Sequence, residues 1–390
     1  MAGTTPNRWF VLAVLFTARV TMAFQFQAVA ALSPVYMQVF GVGLSDIGFL
    51  IGLYLAPGLI IALPGGAIGQ RFGDRRVIAF GMGLMLAGAL VMLLLDSWGG
   101  QIAGRLLAGT GGVLLNVLMS KVVTDYFAGR EIATAMGIFV NSWPVGIAAA
   151  LLVLPLVATG GGLALALGAV LASTAAGLAV FLWGTAPTAA GSAGAAPKER
   201  LRGAPLAAVL CAGAIWGLYN GALGMVFGFG PAMLVGKGWS LAAASATTSV
   251  TLWLVAVSVP LGGYLADRTG QRDAVMVAGF AAFAALLILA PSSGNNALLV
   301  FALLGLSAGL SAGPIMSLPA QVLGAGTRAV GMGIFFTLFY VGVVFAPVVA
   351  GIAAQRTGLA GVAFYQGAVM LAACGLALWA FRGLARGRAG

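Results

Sequence analysis

Gly66-Ala-Ile-Gly-Gln70-Arg71-Phe-Gly73-Asp74-Arg75-Arg76 and Gly263-Tyr-Leu-Ala-Asp267-Arg268-Thr-Gly270-Gln271-Arg272 are two copies of one pattern, with Gly66 and Gly263 separated by 197 positions. Each copy joins two long apolar stretches. Two more anchors repeat at nearly the same offset: Met136-Gly-Ile-Phe139 with Met332-Gly-Ile-Phe335, and Ser33-Pro34 with Gly230-Pro231. Three anchors at nearly one offset, in separate apolar stretches, mark an internal duplication. An even number of crossings separates the copies, so the repeat is parallel, about an axis along the membrane normal.

Composition says why the surroundings are a membrane. Of 390 residues, 61% are hydrophobic and 7% charged. A soluble domain carries about 25% charged residues; with so few, a water-facing surface cannot be covered, whereas lipid accepts apolar side chains. The 60 glycines fit close helix approach in a bilayer. Cys211 and Cys374 both lie in apolar stretches and form no disulfide framework, and there is no histidine, so no metal-ligand spacing appears. Arg8 precedes the first apolar stretch, which is too long for a signal-peptide core and is read as the first crossing.

A crossing needs about 20 mostly apolar residues. Charges, Pro-Gly turns and polar clusters divide the chain into twelve spans, 9–33, 45–69, 76–95, 98–123, 132–156, 160–184, 205–235, 241–266, 273–291, 295–321, 328–354 and 360–382. The predicted fold is all-α, with twelve transmembrane helices in two parallel six-helix repeats. The first and seventh spans are over-long and contain Pro34 and Pro231 near their ends, which predicts a kink or early exit. Residues 185–204, rich in Ala, Gly, Ser, Pro and charge, read as a flexible cytoplasmic linker between halves 1–184 and 205–390.

The basic residues orient the chain. With the N-terminus inside, Arg8, Arg71, Arg75, Arg76, Lys121, Arg130, Lys198, Arg200, Arg202, Arg268, Arg272, Arg328, Arg382, Arg386 and Arg388 are cytoplasmic, and only Lys237 and Arg356 are outside. Both termini are therefore expected in the cytoplasm, with a bacterial-type inner membrane as the location. The net charge of +11 is a topology signal, scattered over short loops, and not a nucleic-acid surface.

The paired loops resemble the signature loop of the major facilitator superfamily, a Gly followed at fixed spacing by Asp-Arg-x-Gly-x-Arg. The second copy, Gly263 to Arg272, matches it closely with Asp267 at the acidic position; the first departs from it, with Gln70 there. The resemblance implies gating loops built from Gln70, Arg71, Asp74, Arg75, Arg76, Asp267, Arg268 and Arg272, and the Gln70 departure removes the carboxylate from the first salt-bridge latch. Gly104-Arg105-Leu-Leu-Ala-Gly109-Thr-Gly-Gly112 resembles a second family pattern on the fourth helix. Within the superfamily the chain is most similar to cyanate/nitroimidazole-type and related small-anion permeases. The Asn141-Ser-Trp-Pro144-Val-Gly146 stretch echoes the drug/proton antiporter signature only loosely.

Where ionisable groups are absent is informative. All eight acids, Asp46, Asp74, Asp96, Asp125, Glu131, Glu199, Asp267 and Asp273, fall in loops or at span ends. Two cations, Arg19 and Arg105, do not. A charge near mid-membrane costs roughly 2.5–3.5 kcal/mol on insertion scales and normally faces a partner or a wet cavity. A guanidinium presents a planar fork that suits oxyanions. Arg19 therefore either meets an anionic cargo or bonds neutral groups such as Gln25, Gln27 or a neighbouring helix. Arg105, in a pattern many members share, has a packing or conformational role as its rival reading. Asn116 lies eleven residues beyond Arg105 and so shares its face, where it either lines the same cavity or bridges two helices by a hydrogen bond.

Trp216, Tyr219 and Asn220 share a face of the seventh span, with Trp216 at the repeat position of Arg19. Thr337 and Tyr340 on the eleventh span and Asn141 and Trp143 on the fifth extend the set of candidate substrate contacts, as do Tyr54 and Trp253; each also has a plain packing reading. The Gly213, Gly217, Gly221 and Gly305, Gly309, Gly313 series read as packing and hinge surfaces, not phosphate loops, since no strand precedes them.

The expected function is secondary transport of a small organic or inorganic anion by exchange, uniport or proton-anion symport. Its rival is proton-coupled efflux of amphipathic drug-like compounds, which usually relies on an embedded carboxylate. No enzyme is expected, because no nucleophile-base or metal constellation appears. The partners expected are the anion, lipid and, where coupled, protons, with a monomeric chain, no cofactor and no nucleic acid.

Overall fold

A computed structural model describes residues 7–185 and 201–386. The expected linker at 185–204 falls largely outside them, as do Lys198, Arg200 and Arg388 of the basic set. The described backbone is helical, with no strand among the described residues. The helices are α1 (Arg8–Ala31), α2 (Ser33–Phe40), α3 (Leu44–Leu53), α4 (Gly58–Phe72), α5 (Asp74–Leu94), α6 (Trp98–Phe127), α7 (Ile132–Gly184), α8 (Gly203–Val235), α9 (Leu241–Thr269), α10 (Arg272–Leu289), α11 (Ala297–Val322), α12 (Arg328–Thr357) and α13 (Val362–Arg386).

Eleven stretches among the described residues are long and apolar enough to cross a membrane. One of them, α7, runs for 53 residues. At 1.5 Å per residue that is about 80 Å, far more than a bilayer core of about 30 Å. Its backbone leaves the helical region at Gly161 and Gly162, the latter at φ 66°. The fifth and sixth spans are thus one helix on each side of a glycine break, and the count of twelve crossings stands.

The first span exits early, as expected: α1 ends at Ala31 and a second helix starts at Ser33 with proline in its first turn. Pro231, by contrast, sits inside an unbroken α8. The second span carries a break that hydropathy does not announce. Helix α3 stops at Leu53, residues 54–57 form turns, and α4 resumes at Gly58. Pro57 supplies the reason: it has no N–H to donate back and disfavours helix in the residue before it. Tyr54 N–H turns to the carbonyls of Gly52 and Ile51, leaving that of Leu50 without the usual donor four residues on.

The conserved spacing within the paired loops also has a local cause. Gly73 ends α4 at φ 87° and Gly270 ends α9 at φ 69°. Side chains rarely adopt that left-handed conformation, so glycine stops both helices at the same repeat position.

By contact the chain forms two compact units. One holds Met1–Tyr126, Ser142–Glu199 and Ala325–Gly333; the other holds Phe127–Asn141, Arg200–Gly324 and Ile334–Gly390. Each is mainly one sequence half plus a short segment from the other, and the two segments, at the starts of α7 and α12, are themselves repeat-related. In the second unit α9 packs along α11, and α8 along α13.

Candidate functional site

In the first unit the core of the site is Arg19, eleven residues into α1. It is 5% exposed. Its Nε and Nη2 donate to Asn116 Oδ1 at 3.2 and 3.0 Å, and its Nη1 donates to Ser142 Oγ at 2.9 Å. Its guanidinium carbon stands 5.8 Å from the centre of the Trp143 ring. Three helices, α1, α6 and α7, thus converge on one guanidinium through neutral oxygens and an aromatic face. Gly146 makes the α1–α7 approach possible: a Cβ there would stand 2.4 Å from the carbonyl oxygen of Val20. Every described acidic residue lies in a first or last helical turn or between helices.

Asn116 is therefore a partner of Arg19 and bridges α6 to α1, the second of its two sequence readings. The eleven-residue spacing places Asn116 and Arg105 on one side of α6, but the helix crossing gives them different neighbours. Ser142, immediately before Trp143, was not among the candidates. A serine in an apolar run carries no sequence signal that separates it from routine back-bonding to its own helix.

Arg105 is fully buried and already occupied. Its Nε donates to Leu50 O at 3.2 Å, Nη1 to Gln25 O at 3.0 Å and Nη2 to Phe26 O at 3.0 Å, and the Tyr54 ring centre is 4.7 Å from its guanidinium carbon. Leu50 O is the carbonyl released at the α3 break. The arrangement is a staple that holds the interrupted second span against α1, as the packing reading of Arg105 expects. Tyr54, 1% exposed, belongs to the same staple, its hydroxyl directed to Met22 O at 3.4 Å and Gln25 Oε1 at 3.5 Å. Gln25, which also donates to Met85 O at 2.9 Å, is the bonded glutamine of α1; Gln27 is half-buried, outside both clusters.

The second unit has an aromatic counterpart. Trp216 stacks with Tyr219, Phe335 and Phe339. The Tyr219 hydroxyl donates to Ala308 O at 2.8 Å, which ties α8 to α11, and Asn220 Nδ2 returns to Trp216 O at 2.8 Å. Tyr340 is buried and Thr337 half-buried on α12. Asn141 Oδ1 is buried with no hydrogen-bond partner. Trp253, on α9, differs from the set in being 52% exposed.

The paired loops differ as their sequences do. Asp267 accepts from Thr134 N–H at 2.7 Å and Thr134 Oγ1 at 2.9 Å, and pairs with Arg272 at 2.8 Å. It thereby caps the first turn of α7, whose N–H groups have no acceptor within the helix. Gln70, its counterpart, donates instead from Nε2 to Gly326 O at 2.7 Å, just before α12. Around it Asp74 pairs with Lys121, and Lys121 and Arg328 both pair with Asp125. Arg75 serves locally, donating to Leu182 O at 3.2 Å and to Thr185 at the end of α7, while Arg71, Arg76 and Arg268 are exposed. Asp267→Asn is expected to lower stability by about 1–2 kcal/mol through loss of a charged cap and an ion pair, with Gln70→Asn costing less than about 0.5 kcal/mol. Thermal unfolding of the two purified variants side by side checks this; equal shifts would remove the distinction between the loops.

A family model described as Major Facilitator Superfamily matches residues 15–237 and again residues 210–389. Inner membrane transport protein YajR of Escherichia coli (strain K12) is 27% identical over 146 residues, 37% of this chain and 31% of its own. By sequence the chain spans under a third of the length of the curated relatives it matches. Among solved structures, the proton:xylose symporter XylE superposes with a TM-score of 0.78 at 14% identity, covering 95% of each chain. The human organic anion transporter TETRAN superposes at 0.76 with 16% identity, covering 97% of this chain and 100% of its own. At such identities these two show likeness of fold.

Proposed function

The chain belongs to the major facilitator superfamily, and from that premise we propose that it carries a small organic or inorganic anion across the membrane by alternating access, with Arg19 as the group that recognises the cargo. The family and the apolar helices make it a multi-pass membrane transporter. The anion is the new element, and one observation supports it: a mid-helix guanidinium, whose planar fork suits oxyanions, is oriented by the side chains of Asn116 and Ser142. A charge maintained at that depth is costly, and a function for it is the default reading. Trp143 adds an aromatic face to the same cluster. The resemblance to cyanate/nitroimidazole-type permeases points to the same cargo class.

Exchange, uniport or symport with the proton travelling on the anion accords with acids confined to helix ends. The excess of Lys and Arg in alternate loops supports both termini in the cytoplasm, and the division at 185–204 into two six-helix halves is part of the same reading.

Uptake of a panel of labelled small anions into proteoliposomes tests it. Arg19→Gln is expected to cut uptake of the preferred anion at least about 30-fold, the factor carried by about 2 kcal/mol for a desolvated charge contact. Arg19→Lys keeps the charge and loses the fork, and should fall between. Undiminished uptake by Arg19→Gln would refute the anchor role; stabilisation of the wild type by lipophilic cations alone would put efflux in its place.

A further inference from the structure

Trp216 has a polar group that the fold leaves unused. The residue is 4% exposed, and its Nε1–H is buried with no hydrogen-bond partner. An indole nitrogen can only donate, and buried donors are nearly always paired. In a membrane interior water is scarce, which raises the cost of leaving one unpaired.

The ring around that donor is set flat among others. Tyr219 lies 5.6 Å away at 14°, Phe335 at 6.4 Å and 14°, and Phe339 at 6.0 Å and 25°. Nearby polar groups are committed elsewhere, the Tyr219 hydroxyl to Ala308 O and the Asn220 amide to Trp216 O.

The internal repeat sharpens the comparison. Trp216 stands 197 positions after Arg19, and Phe339 stands 196 after Trp143. In the first unit the Arg19 guanidinium carbon is 5.8 Å from the Trp143 ring; in the second the Trp216 ring is 6.0 Å from that of Phe339. The duplication has kept a donor beside an aromatic ring and exchanged a charged fork for one neutral N–H.

We infer that Trp216 Nε1–H is a donor subsite for the cargo, and that the cargo carries an oxygen acceptor on a planar, conjugated body. This deepens the anion proposal and relies on it only for there being a cargo with an acceptor oxygen. A carboxylate or carbonyl oxygen accepts the N–H bond, and the flat body lies against the ring stack, where offset stacking favours it. A purely structural tryptophan would need only its rings, since the donor has no protein partner to lose.

Benzoate and benzamide are the probes, one charged and one neutral, each a planar ring with an acceptor oxygen. Binding to the purified full-length protein is measured by thermal shift and titration. The variants are Trp216→Phe, Arg19→Gln, and replacement of Trp216 by 3-benzothienylalanine, which keeps the bicycle and removes only the N–H. Loss of the donor is expected to weaken benzoate binding about 5- to 10-fold, while the melting temperature of the benzothienylalanine protein without probe stays the same or rises. Benzoate binding lost in Arg19→Gln but unchanged in both Trp216 variants would overturn this inference and leave the anion reading standing. Benzamide bound as tightly as benzoate, insensitive to Arg19→Gln and weakened at Trp216, would support it and overturn the anion reading. Failure of both probes to bind the wild type would overturn it, as would a fall in probe-free stability on loss of the N–H alone.

Discussion

Replacing Arg105 with methionine is expected to lower the melting temperature of the detergent-purified protein by roughly 5–10 °C, from a loss of about 2–4 kcal/mol. Methionine fills most of the volume and keeps the apolar stem, so the change isolates the donor fork. The three acceptors are not equal. Gln25 O and Phe26 O lie within α1, and bonds of this kind between membrane helices average about 0.6 kcal/mol. Leu50 O has lost its Tyr54 donor at the α3 break and depends on Arg105 Nε at 3.2 Å. Stranding it costs about 1–3 kcal/mol. Arg105→Lys keeps the charge but cannot reach three carbonyls from one ammonium, so it should recover less than half of the loss. Fluorescence-detected size-exclusion thermostability separates the roles. An unchanged melting temperature with abolished transport would return Arg105 to the cargo.

A second large effect is expected from Gly66→Ala. An added Cβ would stand 1.9 Å from the carbonyl oxygen of Ala329 and 2.6 Å from its carbon. Those are backbone atoms, so no rotamer change relieves the overlap. Restoring ordinary contact requires α4 and the start of α12 to separate by about 1.5 Å, which breaks the 2.7 Å bond from Gln70 to Gly326 O. The same crossing recurs in the second unit, where a Cβ at Gly263 would meet Ala133 O at 2.4 Å. Transport should fall more than about 10-fold in Gly66→Ala, with insertion and yield preserved, because alanine is otherwise the better helix former by about 1 kcal/mol. Gly83→Ala, on α5 with nothing within 4 Å, is the control and should transport normally. Maleimide labelling of Gly326→Cys, in a background without Cys211 and Cys374, should rise in Gly66→Ala. Wild-type labelling and transport would show the contact to be dispensable.

The crossings were legible because lipid imposes a simple condition: about 20 residues in succession must be apolar and must satisfy their own backbone. The boundary between the fifth and sixth spans, expected at residues 157–159, lies instead at Gly161 and Gly162, since glycine is where a helix can leave its dihedral region. The break at residues 54–57 is not legible in the sequence because its neighbours are as apolar as the rest of the span, and Pro57 alone does not distinguish a kinked helix from an interrupted one. Arg19 was conspicuous as a charge far from any acid in sequence. Its partners are not: periodicity gives Asn116 the face of Arg105 but not the helix it bridges to, and Ser142 is one hydroxyl in an apolar run.

From the chain alone came the membrane setting, the duplication, the twelve crossings, and the two arginines that needed an explanation. Each follows from composition or from spacing along the chain, and none depends on how helices cross. What each arginine bonds to was decided only by tertiary packing. Arg105 meets main-chain oxygens because a proline interrupts the second span beside it, whereas Arg19 meets Asn116 and Ser142 because Gly146 lets α7 close on α1. A guanidinium reaches about 6–7 Å from its backbone, so a small difference in helix approach determines whether it ends on a carbonyl or beside an aromatic face, and linear order does not contain that distance.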